Sequence, residues 1–144
     1  MKLEEIKKEI FKMGRKIGLN DESKLYPMFS RTSAVFSEGA SIYTENSKYY
    51  YVFMERGHIN KCYESENLEE ILYLLFESIT FKLASDYELH HRLEEQDSRR
   101  LIWTKQLELL ERIDKSFKKR CKAEIEEILK IAPFNDENKY GKRY

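Results

Sequence analysis

The chain has 144 residues, with Lys plus Arg and Asp plus Glu both counting 26, so no net field draws it to nucleic acid or to an anionic membrane surface. Its two cysteines, Cys62 and Cys121, stand far apart and outside any C-x-x-C spacing, which is neither a disulfide framework nor a zinc signature. Two prolines and five glycines beside 36% charged residues point to long solvated helices in a single domain-sized unit.

The N-terminal MKLEEIKKEI alternates charged and apolar residues without an apolar core, and no apolar run reaches the ~18 residues of a bilayer span. A cytoplasmic protein without a membrane anchor is the expectation. Leu3, Ile6, Ile10, Phe11 and Ile17 recur at helical spacing, predicting an amphipathic helix over 2–17 that Gly18 stops. Asn20 to Pro27 is turn-rich, and Ser30 to Gly39 reads as loop or edge strand.

From Ala40 the residues turn aromatic and β-branched. "SIYT", the polar turn "ENSK", "YYYVFME", Arg56-Gly57 and "HINKCY" predict a meander over 40–45, 48–55 and 58–64, with Arg56-Gly57 at the second hairpin tip. In the middle strand Tyr49, Tyr51 and Phe53 alternate with Tyr50, Val52 and Met54, so both faces are apolar. One face must cover helices, and the other is either buried too or a surface for a partner.

"SENLEEILYLLFESITFKLASDYELHHRLEE" follows, with Ser65 as the expected N-cap and apolar residues most of the way round, as in a central helix. A break near Glu95 to Asp97 leads to a third helix capped by Asp97. Ser116 is the expected cap of a fourth, which Pro133 stops. Residues 135–144 are polar and read as a frayed tail. The order α–β–β–β–α–α–α segregates sheet from helices: an α+β class, one domain over 1–134, with a three-stranded, possibly four-stranded, antiparallel sheet.

Asp86 to Arg100, "DYELHHRLEEQDSRR", is the densest ionisable stretch. On one continuous helix Asp86, His90 and Glu94 share a face, a spacing open to general-base or metal chemistry in a small hydrolase. It is not H-E-x-x-H, and His58 is the one other histidine outside this stretch that could complete a metal shell. No nucleophile elbow or glycine-rich phosphate loop occurs, so the sequence names no cofactor. As architecture, Glu88 and Arg92 form an i, i+4 pair. Asp97, Arg99 and Arg100 lie at a helix junction, where arginine forks can bond carbonyls at the end of the long helix. That structural polar joint is the favoured reading.

Glu55-Arg56-Gly57, "EILYLLFESITFKLA" at Glu70 to Ala84, "YELHHR" at Tyr87 to Arg92, "QDSRR" at Gln96 to Arg100, "KQLELL" at Lys105 to Leu110 and Pro133-Phe134 together resemble the immunity protein 63 family of bacterial polymorphic toxin systems. Ser98 stands where the family pattern has an aromatic residue, and His90 where a Lys is usual. The resemblance implies a non-enzymatic cytoplasmic protein whose partner is a cognate toxin domain, bound by stoichiometric occlusion. A non-toxin interaction module is the other binding-protein reading. The sheet is the physical candidate for contact, with Tyr43, Tyr49, Tyr51 and Glu55 taken as the wetter alternation set. Glu64, Glu66, Glu69 and Glu70 read as a solvated helix start that could also meet a basic partner.

Overall fold

Periodicity of two over the aromatic stretch and of 3.6 on either side of it becomes four strands and four helices in the computed structural model, which describes residues 2–20, 28–29, 39–55 and 58–137. In chain order these are α1 (Leu3–Arg15), β1 (Met28–Phe29), β2 (Gly39–Glu45), β3 (Lys48–Glu55), β4 (His58–Ser65), α2 (Leu68–His90), α3 (Ser98–Ile113) and α4 (Lys115–Ile131). The class is α+β. The chain divides into two compact units, Met1–Leu75 and Phe76–Tyr144, and the boundary falls inside α2.

In the first unit, α1 carries Ile6, Ile10 and Phe11 on its buried stripe. Gly18 ends the turn beyond it at φ 86°, a conformation that costs a side-chain-bearing residue. Its N–H donates to the Arg15 carbonyl and that of Leu19 to the Gly14 carbonyl, the paired bonds of a Schellman motif.

The sheet order is β1-β2-β3-β4. β2, β3 and β4 form the expected antiparallel meander, within a residue of the predicted bounds. The fourth strand exists but is parallel: Met28 pairs with Ser41 and Phe29 with Ile42. Ser30 to Glu38 and the Arg56-Gly57 tip lie outside the described residues. At the first hairpin Asn46 and Ser47 both take positive φ, 52° and 63°, the type I′ geometry that matches strand twist. Thr44 Oγ1 adds a 3.0 Å bond to the Lys48 carbonyl. Between Phe53 and Met54 the register to β4 slips from Lys61 to Ile59, a bulge at Asn60.

Both faces of β3 are buried at its centre, Tyr51 on one and Val52 on the other. Ile42, Ile71, Tyr73 and Leu75 are buried in the same unit, each aliphatic side chain contributing about 1.5–3 kcal/mol by leaving water.

The N-cap of α2 is Asn67, not Ser65: Asn67 Oδ1 accepts from the Glu69 N–H at 2.9 Å. Ser65 is still paired with Tyr49 in the sheet, and its Oγ instead accepts from the Asn67 N–H. α2 also stops earlier than the sequence pattern suggests. The Nδ1 atoms of His90 and His91 lie 2.8 and 2.9 Å from the Asp86 and Tyr87 carbonyls. A carbonyl can only accept, so both rings donate from Nδ1 to carbonyls of the last turns of α2.

In the second unit α3 packs on α4, with Leu109, Leu110, Ile113, Phe117, Cys121 and Ile125 buried. Gln106 is buried as well and donates from Nε2 to the Glu77 carbonyl at 3.0 Å and to Thr80 Oγ1 at 3.4 Å, which ties α3 to α2 by polar bonds inside an apolar setting. A single residue, Asp114, joins α3 to α4. Its N–H donates to Leu110 O, and its carboxylate accepts from the N–H and hydroxyl of Ser116. Asp114 is therefore the cap expected at Ser116. No described helix is long and apolar enough to cross a membrane.

Candidate binding surface and the charged clasp

The register decides what the sheet can present. A two-residue hairpin inverts parity, so Tyr43 stands opposite Tyr50 while Ile42 stands opposite Tyr51. Tyr43 thus shares a face with Ser41, Tyr50 and Val52, not with Tyr49 and Tyr51 as its number suggests. On the other face β4 contributes Tyr63, the partner of Tyr51.

Tyr43 and Tyr51 are 4% and 5% exposed, which removes both from the contact surface expected of them. Tyr49 is partly exposed, and the side chain of Glu55 lies outside the description. The aromatic area open to a partner is instead Phe53 and Tyr63, 36% and 39% exposed, beside Tyr49 on one face. The sequence reading passed over Tyr63, although its even spacing from Ser65 and its "KCYES" setting mark a strand residue. Among the described strands β4 is the last of the sheet, so Tyr63 has no strand on its outer side there.

On the opposite face Tyr43 and Tyr50 stack at 4.6 Å, 3° from parallel. Burial raises the pKa of both, and nearby negative groups push the same way, Cys62 foremost at Tyr43 and Glu64 at Tyr50. Both phenols therefore stay neutral donors. Glu45 and Glu64 are exposed there, with Lys48 3.7 Å from Glu64. Ser41 Oγ is buried with no hydrogen-bond partner.

The charged stretch behaves differently. Asp97 caps α3, as its position suggests, accepting from the Arg99 N–H at 3.0 Å, from the Arg99 guanidinium, and from the Asn135 N–H at 2.9 Å. Burial alone would raise its carboxyl, but the Arg99 side chain and the Asn135 and Arg99 N–H groups outweigh it and hold the pKa at about 2. In return the Asp97 N–H donates to Asp136 Oδ1 at 2.8 Å. Arg100 binds both oxygens of Asp136 at 2.9 and 3.1 Å, which lowers the Asp136 carboxyl and raises the guanidinium.

Arg99 reaches the Ala132 and Pro133 carbonyls, both at 2.9 Å. The forks were expected at the end of the long helix; they close the end of α4, because those carbonyls are left open where Pro133 stops it. Phe134 lies against Trp103 with its ring under Arg100, 4.1 Å from the guanidinium carbon. Asn135 to Glu137, assigned by composition to a frayed tail, are thus held by Asp97, Arg100 and a local Asn135 turn. Residues 138–144 lie outside the description.

Glu88 is 3% exposed and takes a fork from Arg92, both bonds at 3.3 Å. The ladder Asp86, His90, Glu94 is not assembled: α2 ends at His90, so Glu94 leaves the shared face, and all three are exposed. Among the described residues no three His, Cys, Asp or Glu side chains are grouped to hold a metal ion.

A family profile described as Immunity protein 63 matches residues 45–127, from the first hairpin through most of α4. It covers more than half of the sequence, and the chain belongs to that family. No curated protein and no solved structure matches.

Proposed function

We propose that this chain is a non-enzymatic immunity protein that binds a cognate secreted bacterial toxin domain in the cytoplasm of the producing cell and neutralises it by stoichiometric occlusion. Membership of the immunity protein 63 family carries the reading. The contact surface assigned to this role is the open rim of the sheet, Tyr49, Phe53 and Tyr63, with the exposed residues of β4. Tyrosine and phenylalanine give rigid area at low entropic cost, and such interfaces bury about 1,200–2,000 Å² around a few aromatic anchors.

The charged clasp has the opposite character, because its acids and arginines are engaged with one another. The test is co-expression with the toxin domain encoded beside this chain. Growth should be restored, and the purified pair should elute as a stoichiometric complex. A toxin domain that kills equally well with and without the chain overturns the reading.

A further inference from the structure

The open rim is an edge as well as a face, and its backbone has a direction. Glu45 and Lys48 flank a two-residue turn, so they exchange both ladder bonds with each other. Counting by two along β3, Lys48, Tyr50 and Val52 turn their N–H and C=O groups toward β2, whereas Tyr49, Tyr51 and Phe53 turn theirs toward β4. The β4 residues opposite these three are Ser65, Tyr63 and Lys61. The backbone groups of Cys62 and Glu64 therefore point away from β3, out of the sheet.

No other strand takes them among the described residues, since β4 is last in the order. Cys62, Tyr63 and Glu64 point to alternate faces and are all exposed, while their neighbours Val52 and Tyr51 are 1% and 5% exposed. At the centre of the sheet, cover on both faces ends at Tyr51 and Val52 of β3, which leaves β4 projecting as a template for another strand.

The side chains around that edge define what fits it. A residue placed opposite Cys62 or Glu64 shares the face of Glu45 and Glu64, and β4 runs directly into the exposed Glu66 and Glu69. On the strand face itself Lys48 lies 3.7 Å from Glu64. A residue opposite Tyr63 shares the face of Tyr51 and Phe53 instead. We propose that β4 receives an extended segment of the toxin domain as an added strand, with Lys or Arg on the Glu64 face alternating with apolar residues on the Tyr63 face. Backbone bonds to Cys62 and Glu64 supply the seat, and the alternation supplies the selectivity.

This mode rests on the neutralisation reading, and one experiment separates the two. The full-length chain, ¹⁵N-labelled, is mixed with the neighbouring toxin domain, and amide exchange and affinity are measured for it and for Cys62→Pro and Cys62→Ala. Proline removes one outward N–H and leaves the β3 ladder intact. The expected result is at least tenfold slower exchange at the Cys62 and Glu64 amides in the complex, and binding by Cys62→Pro at least tenfold weaker than by Cys62→Ala, which keeps the outward N–H. Tight binding by the wild-type chain with both amides still exchanging freely overturns strand addition and leaves neutralisation standing. Absence of binding by the wild-type chain overturns both. Should Cys62→Pro fail to fold, protection of the two wild-type amides decides.

Discussion

Two regions of this chain concentrate polar and aromatic groups, and they use them in opposite ways. Around Asp97 and Arg100, each carboxylate and guanidinium has a partner within the unit: Asp97 meets Arg99 and the Asn135 N–H, Asp136 meets Arg100, and Arg99 also closes the end of α4. Along β4 Tyr63 and Glu64 are exposed, Glu64 beside Lys48, and the outward backbone groups of Cys62 and Glu64 meet no other strand among the described residues. A dense run of ionisable residues is thus a poor sign of a working surface when its members satisfy one another. Unsatisfied edge groups beside exposed rings are the better sign.

The sharpest way to break this contrast is to damage the clasp and look for an effect on binding. Asp97→Ala removes the cap of α3, the seat of the Asn135 N–H and the main partner of Arg99, and should cost about 2–4 kcal/mol in urea or thermal unfolding, a buried pair discounted for the partial exposure of Arg99. Affinity for the toxin domain, measured below the melting temperature, should stay within about twofold.

The clasp also has a pH signature. Asp97 titrates at about 2 in the folded chain against about 3.9 unfolded. Its contribution is complete above pH ~4, is lost as pH falls from there toward 2, and is gone below. Asp136 is shifted the same way. Asp97→Asn should therefore flatten the stability profile between pH 4 and 2, and an undiminished slope would count against the hydrogen-bond network.

On the sheet the signs reverse. Tyr63→Ala should weaken toxin binding tenfold or more, about 1.4 kcal/mol, while costing about 1 kcal/mol of stability, since the residue is 39% exposed and its ring lies against Tyr51. Asp114→Ala, which removes the α4 cap, should cost about 1 kcal/mol and leave binding untouched. His90→Ala should alter both by less than about 0.5 kcal/mol, and a larger loss of any activity would revive the carboxylate–histidine ladder.

The three strands of the meander and their bounds were legible in the sequence because alternation and a polar "ENSK" turn act over a few residues; the two-residue parallel strand at Met28–Phe29 is too short to carry an alternation. So was Asp97 as a cap, since a carboxylate two residues before the Arg99 N–H needs no tertiary context. The face of Tyr43 was not, because a two-residue hairpin reverses parity and the numbering of a single strand hides it. Ser65 and Asn67 are both good caps, and only pairing of Ser65 with Tyr49 chooses between them. Asp136 lies 39 residues from the N–H it accepts, beyond any local pattern. Tyr63 carries a signal for a strand but none for an edge, because strand order is a property of the assembled sheet.

The elbow between α3 and α4 has a consequence for how this family can vary in length. With one residue, Asp114, serving as the end of one helix and the start of the next, no slack exists to absorb an insertion. One added residue would turn α4 by about 100° about its axis and carry Phe117, Cys121 and Ile125 off their buried side together. Relatives should therefore gain or lose residues elsewhere and keep this junction gapless.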